Sequence, residues 1–249
     1  VPIQDHFSRC ASAYAEYRPG YPAELGSFLA DISPGRGLAW DCGTGSGQAA
    51  VVLAAAFDRV VATDASAEQL AHARPHPRVE YRRALDRDSG LARASCDLVT
   101  AGQAAHWFDL PAFYREVDRV LRPGGALAIW CYTRTLVAPE IDAVVSAFQY
   151  QRVGPYWPAG REHTDAGYRT LPFPYERIAA PPLAMRHLWT RRQLEAYIGT
   201  WSSVRRCRDV EGADPVAGLT RDLAPLWPDA DGVREVRWPL SVIAGRKPG

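Results

Sequence analysis

The chain has 249 residues, of which 47% are hydrophobic, and a formal net charge of +1. That length supports one large domain without staples, and the near-neutral balance supplies no global field for nucleic acid or an anionic membrane, so neither is an expected partner. No apolar run reaches the roughly 18 to 20 residues of a membrane span, and five cysteines (Cys10, Cys42, Cys96, Cys131, Cys207) without a Cys-x-x-Cys pair fit a reduced, cytoplasmic protein.

In Asp5 to Pro22, the residues Phe7, Ala11, Tyr14, Ala15 and Arg18 recur at helical spacing, which predicts a short amphipathic helix ending near Arg18 and Pro19. Leu38 to Gly47 reads Leu-Ala-Trp-Asp-Cys-Gly-Thr-Gly-Ser-Gly, and Gln48 to Ala56 has the composition of a buried helix. Strand, glycine loop and helix in this order suit a nucleotide-like ligand, because Gly43, Gly45 and Gly47 allow close approach to the backbone. A dinucleotide fingerprint counted from Gly43 requires glycine where Gln48 stands. Asp41 would repel a diphosphate and suits a ligand carrying an amine.

Val60 to Thr63 predicts a second strand ending in Asp64, 23 positions after Asp41. A carboxylate there offers acceptors only and can take both ribose hydroxyls. The other role for Asp64, a helix cap, is filled by Ser66, with Gln69 completing a capping box for a helix from Ser66 to Arg74. His72 and His76 lie four apart, but Pro75 and Pro77 break the helix that would align them, so no metal site is expected.

Val79 to Arg83 is the third predicted strand and Asp97 to Ala101 the fourth, followed by the bend Gly102 to Phe108, a place where open α/β sheets put chemistry. Asp109 and Pro111 open a helix with Phe113, Val117, Val120 and Leu121 on one face; Arg122 to Gly125 is a stop, and Ala126 to Trp130 the fifth strand. Glu140 to Arg152 reads as helix and Val153 to Tyr175 as an excursion rich in proline and aromatics. Leu183 to Trp189 and Val236 to Gly245 read as strands flanking a helix from Arg191 to Trp201.

The acid followed by Gly-x-Gly-x-Gly at Asp41 to Gly47, the Asp97-Leu98-Val99-Thr100 strand, the Gln103-Ala104-x-His106-Trp107-Phe108 bend and the Leu121-Arg-Pro-Gly-Gly turn together resemble the class I S-adenosylmethionine-dependent methyltransferases. Tyr14-Ala-x-Tyr-Arg-Pro-x-Tyr-Pro and Thr200-Trp201-Ser202 extend the likeness to the type 11, trans-aconitate methyltransferase-like group. The resemblance implies an α/β fold with a Rossmann-like seven-stranded, mostly parallel sheet whose last strand is antiparallel. It also implies a single domain over 1–249, with a lid (1–34), a cofactor-binding core (35–132), a cap insertion (133–182) and sheet completion (183–249). The implied cofactor is S-adenosyl-L-methionine, giving S-adenosyl-L-homocysteine. Its expected contacts are Asp41, Gly43, Thr44, Gly45, Gly47, Asp64, Ala65 and Gln103, with Asp86 in the Ala84 to Gly90 loop over the adenine. Tyr14 and Arg18 are lid candidates, unless their helix merely packs on the core.

Methyl transfer from a sulfonium is an in-line displacement that needs alignment and exclusion of water more than a catalytic cluster. A base matters only where the acceptor must lose a proton, and an imidazole, with an ordinary pKa near 6.5, suits that task. His106 is expected to touch the acceptor, as a base or otherwise; its alternative is a structural histidine beside Trp107. Trp107, Tyr132, Tyr156 and Trp157 are candidate walls of the substrate pocket, as is Gln103, and each aromatic could equally be core. The sequence therefore points to methylation of a small organic acceptor, at a carboxylate or hydroxyl oxygen. The alternatives are a non-catalytic cofactor-binding sensor or partner subunit, and a macromolecule methyltransferase.

Overall fold

Parallel strands buried on both faces favour near-continuous apolar runs, and the first two core strands of this chain supply them in Leu38 to Trp40 and Val60 to Ala62. The computed structural model describes residues 19–249, so the helix predicted near the N-terminus, with Tyr14 and Arg18, lies outside the described residues. Two units are distinguished: a larger one formed by residues 20–132, 162–183 and 240–249, and a smaller one that includes 133–161 and 184–239.

The larger unit begins with α1 (Ala23–Asp31), β1 (Leu38–Cys42), α2 (Gln48–Ala54), β2 (Arg59–Asp64), α3 (Ala67–Ala71), β3 (Val79–Arg83) and β4 (Cys96–Gly102). A short 3-10 turn over Ala105–Trp107 leads to α4 (Leu110–Val120) and β5 (Leu121–Cys131). Further along the chain come α5 (Pro139–Ala147), α6 (Arg161–Asp165), β6 (Glu176–Ile178), β7 (Leu183–Thr190), α7 (Arg191–Gly199), α8 (Ser202–Glu211), α9 (Val216–Leu223) and β8 (Val233–Arg246). The sheet order is β3-β2-β1-β4-β5-β8-β6, with β7 also paired to β8. Strands β1 to β5 are parallel, and β8 runs antiparallel to both β5 and β6. This is the Rossmann-like sheet the sequence implies, with eight strands in place of seven. The extra pairing arises because β8 is 14 residues long and a three-residue strand forms within the stretch after the prolines.

Alternation along the strands sorts side chains between two cores. Ala39, Val60, Ala62, Leu98, Ala126 and Ala128 pack with Leu25 and Leu29 of α1 and Leu53 of α2. Trp40, Val61, Val99, Leu127 and Ile129 pack on the other face with Phe113, Val117 and Val120 of α4. Asp109 caps α4 by accepting from the Ala112 amide at 3.2 Å, and Pro111 occupies the first turn. The fifth strand starts earlier than its apolar run: Leu121 pairs with Cys96, the chain bulges through Gly124 at φ 74°, and pairing resumes at Ala126 opposite Leu98. The strand order reverses between β1 and β4, which creates a switch point at their carboxyl ends.

In the smaller unit, Trp238 is the hub of an aromatic cluster, 4.8 Å from Trp189 and 5.4 Å from Tyr197 between ring centroids. Thr190 and Gln193 form a capping box at the start of α7. The predicted helix ending at Trp201 stops at Gly199, and α8 follows; the helix predicted over Glu140 to Arg152 is α5 followed by a π turn over Phe148–Arg152. Among the described residues, no helix is long and apolar enough to cross a membrane.

The loop after β3 is tied to α4 by Glu116, which is 6% exposed and accepts from the Ser89 amide at 2.9 Å, the Ser89 hydroxyl at 2.5 Å and Arg119 Nε at 2.7 Å. Burial alone would raise this carboxyl; Arg119 and Ser89 outweigh it and bring it down to about 2. The contribution is therefore present above the ordinary value of 4.5 and lost as pH falls toward 2. Chemical denaturation across that interval is expected to show a shallower acid loss of stability for Glu116→Gln than for the parent chain.

Candidate active site

Asp41 is the fourth residue of β1 and is 1% exposed. Its two carboxylate oxygens accept from the Thr44 hydroxyl at 2.6 Å and the Thr100 hydroxyl at 2.7 Å. One bond joins β1 to the glycine loop and the other joins it to β4, across the switch point. Burial pushes the Asp41 carboxyl up to about 6 against the pull of these two hydroxyls, and the nearby Asp64 charge adds to the rise.

The loop spends its own amides. Gly43 and Thr44 N–H groups donate to the Thr63 carbonyl at 2.8 and 3.0 Å, Gly45 N–H donates to Asp64 Oδ2 at 2.8 Å, and Gly47 N–H donates to the Thr44 carbonyl at 3.0 Å. Four donors a phosphate cradle would need are thus committed within the protein, in keeping with the missing dinucleotide spacing. The glycines differ in purpose. At Gly47, φ is 84° and a Cβ would drive into the Tyr81 phenol, so that glycine serves packing. At Gly45, φ is 55° and the nearest atom to a Cβ would be Gln69 Oε1 at 3.8 Å, so that position is open to a ligand.

Asp64 ends β2 as the sequence places it. Besides the Gly45 amide it accepts from the Ser66 amide at 2.9 Å, while Ser66 caps α3 by accepting from Gln69 N–H at 3.3 Å. Ala65 directs its carbonyl to Arg83 Nε at 3.1 Å. Among the described residues, the buried Oδ2 of Asp86 has no hydrogen-bond partner, and burial raises its carboxyl. The Cys42 thiol, at the end of β1, is pushed well up by burial and by the charges of Asp86, Asp41 and Asp64. The charges of three acids from separate stretches of sequence are thus felt at the end of β1.

Beyond β4, Gln103 holds φ at 56° and clamps the next strand, its Nε2 donating to the Tyr132 carbonyl at 3.0 Å and its Oε1 accepting from the Tyr132 amide at 2.9 Å. Its amide secures the ends of β4 and β5. His106 packs against Trp107 with ring centroids 4.7 Å apart and planes tilted by 43°, and shares a 2.7 Å hydrogen bond with the Tyr168 hydroxyl, through Nδ1. Trp107 is 37% exposed, whereas Tyr132 is buried. The other two aromatic wall candidates belong to the smaller unit. Tyr156 donates to Glu211 at 2.6 Å; Trp157 packs on Trp201 at 5.7 Å and carries the Arg161 guanidinium 4.0 Å above its ring. Thr100, Tyr81 and Tyr168 are not among the site residues the sequence points to. Asp41, Gly47 and His106, which they meet, lie far along the chain, while the Tyr81 hydroxyl donates to the Arg74 carbonyl seven positions away; only Thr100 stands in a recognised motif.

The methyltransferase-domain family model matches residues 40–129. A Dictyostelium discoideum protein assigned as a methyltransferase is 31% identical, over 98% of this chain and 96% of that protein. The solved structure of an Anaeromyxobacter dehalogenans protein assigned as a type II methyltransferase has a TM-score of 0.88 and 44% identity, covering 93% of this chain and 99% of that one. Phosphoethanolamine N-methyltransferase 2 of Haemonchus contortus, solved with S-adenosyl-L-methionine, shares the fold at a TM-score of 0.51 and 20% identity, across all of this chain and 60% of that one. The chain belongs to the class I S-adenosylmethionine-dependent methyltransferases.

Asp41 is a test of how a site is held at the expense of stability. Its folded-state carboxyl is raised from 3.8 to about 6, so ionisation above that window costs up to ~3 kcal/mol. Asp41→Asn is expected to melt higher than the parent at pH 7.5, with the difference shrinking as pH falls toward 4; thermal unfolding across that range reads it.

Proposed function

We propose that this methyltransferase carries the methyl group of S-adenosylmethionine to an oxygen of a small organic acceptor, a carboxylate or a hydroxyl. The observation that carries the cofactor assignment is Asp64 at the end of β2, bonded to the Gly45 amide at 2.8 Å beside an open position, with Asp41 near the end of the neighbouring β1. The fit is chemical: Asp41 suits the amine, Asp64 the ribose hydroxyls, the buried and unpartnered Asp86 Oδ2 suits an amino group on the base, and Gly45 lets the ligand approach the backbone. When bound, the cofactor supplies a methyl group already activated on a positively charged sulfur. Asp41 would work as a fixed anion held by Thr44 and Thr100. Asp64 is already aimed by the Gly45 and Ser66 amides, so binding needs little reordering there.

The acceptor is assigned to the bend after β4 because His106 and Trp107 stand there together, at the carboxyl end of a parallel strand. The near-neutral charge favours a small molecule over nucleic acid.

Thermal unfolding with S-adenosylmethionine, S-adenosylhomocysteine and NADH in parallel tests the cofactor. Ligand at about 100 times its dissociation constant adds ~2.7 kcal/mol, or about 5 to 10 °C for a chain of this size, and the rise is expected with the two sulfur ligands alone. Asp64→Ala is expected to weaken S-adenosylmethionine binding by about 10- to 150-fold in calorimetry, the loss of roughly 1.5 to 3 kcal/mol of charge-assisted bonding. A labelled-methyl screen of organic acids and alcohols then identifies the acceptor. On that acceptor His106→Ala is expected to lower turnover; unchanged turnover would remove His106 from the acceptor site.

A further inference from the structure

The turn that closes α6 carries two consecutive residues in the left-handed region, Gly167 and Tyr168, each at φ 61°. The second is unusual for a bulky side chain and persists only where the surroundings hold it. Here the Tyr168 ring is fully buried in the core beneath α4, with its amide bonded to the His163 carbonyl at 2.8 Å. The strained backbone delivers one polar atom, the phenol oxygen, to His106 Nδ1 at 2.7 Å.

The direction of that bond follows from proton accounting. Among the described residues the Tyr168 hydroxyl has one acceptor within hydrogen-bond reach, the His106 ring nitrogen. If the imidazole donated instead, the phenol proton would be stranded in a site with no solvent contact, at the cost of an unsatisfied buried donor. Burial pushes the phenol well above its ordinary value, so the proton stays on oxygen.

We propose that Tyr168 is a positioning residue that fixes His106 in the neutral tautomer with its proton on Nε2, so that His106 meets the acceptor as a hydrogen-bond donor and not as a base. The inference rests on the reading of His106 as an acceptor contact. An imidazole whose Nδ1 is engaged by a phenol O–H and whose Nε2 already carries hydrogen has no lone pair with which to take a proton. Such a site selects an acceptor atom that attacks without losing a proton, such as a carboxylate oxygen at neutral pH, and favours it over a neutral hydroxyl. The carboxylate's second oxygen would accept from Nε2–H while the first displaces the sulfur. The C–O bond forms as the C–S bond breaks, the electron pair leaves on sulfur as a thioether, and no proton moves.

The test reads the ring directly. Histidine is labelled with 15N, spectra are recorded at a pH where the imidazole is neutral, and the His106 signal is assigned by its loss in His106→Gln. The parent chain is expected to show a limiting pyridine-like shift at Nδ1 and a limiting pyrrole-like shift at Nε2. In Tyr168→Phe the two shifts are expected to move toward each other as the tautomers exchange. A proton on Nδ1 in the parent overturns the proposal, as does a Tyr168→Phe spectrum in which His106 is unmoved. Should Tyr168→Phe not fold, the parent spectrum decides alone. Because the tautomer is read without any acceptor, its outcome is separate from the activity test of His106→Ala: a correct tautomer with unchanged His106→Ala turnover would defeat the acceptor reading and leave the lock itself standing.

Discussion

The site depends on one buried carboxylate. Asp41 sits where the sheet order reverses, and its two hydroxyl donors come from the loop that follows it and from the neighbouring strand, 59 positions away. Those bonds hold the glycine loop, β1 and β4 in a single arrangement, and they do so around an anion that burial disfavours. The protein thus keeps a charge where an apolar residue would give a more stable sheet. On the proposed reading, a ligand with a complementary positive group is what such a cost is maintained for.

The same economy runs through the rest of the strand end. Asp64 is oriented by backbone amides of Gly45 and Ser66, and the loop's remaining named donors close on Thr63 and Thr44. The loop is rigid through its own bonds, with one open position at Gly45. Asp86 contrasts with this, since it is half-buried and, among the described residues, its buried Oδ2 is left over on a segment that Glu116 ties to α4 through Ser89. Satisfied groups hold the loop, and on the proposed reading the Asp86 oxygen is where a ligand adds a bond. Beside them, the His106 and Tyr168 pair shows backbone strain used to deliver a hydroxyl to an imidazole.

The smaller unit is organised differently. Its interior is an aromatic cluster around Trp238, and its polar contacts, such as Arg152 and Tyr156 with Glu211, are exposed or half-buried. On the proposed reading, Tyr156 and Trp157 serve there as parts of an aromatic surface braced by α8 and by the Arg161 guanidinium.

The sequence by itself determined the family, the parallel sheet with its antiparallel strand, and the positions of Asp41, Asp64 and the glycines. Each of these is a local signal: an acid ending an apolar run, glycines at fixed spacing, and an acid about one strand-helix-strand unit further on. Asp109 and Pro111 announced α4 for the same reason, because a cap acts within one turn. What only the tertiary structure decided are the pairings across long stretches of chain: Thr100 with Asp41, Tyr81 against Gly47, Gln103 with Tyr132 and Tyr168 with His106. Tyr168 stands in a stretch whose prolines and aromatics read as an excursion, and nothing local says that its ring turns inward to a histidine 62 positions earlier. Helices such as α8, whose sequence is rich in arginine and buries only Ser203, Val204 and Cys207, were likewise invisible, because so narrow an inward face leaves too weak a periodic signal. Local chemistry is written in neighbouring residues, whereas the partner of a buried polar group is chosen by the packing that brings distant segments together.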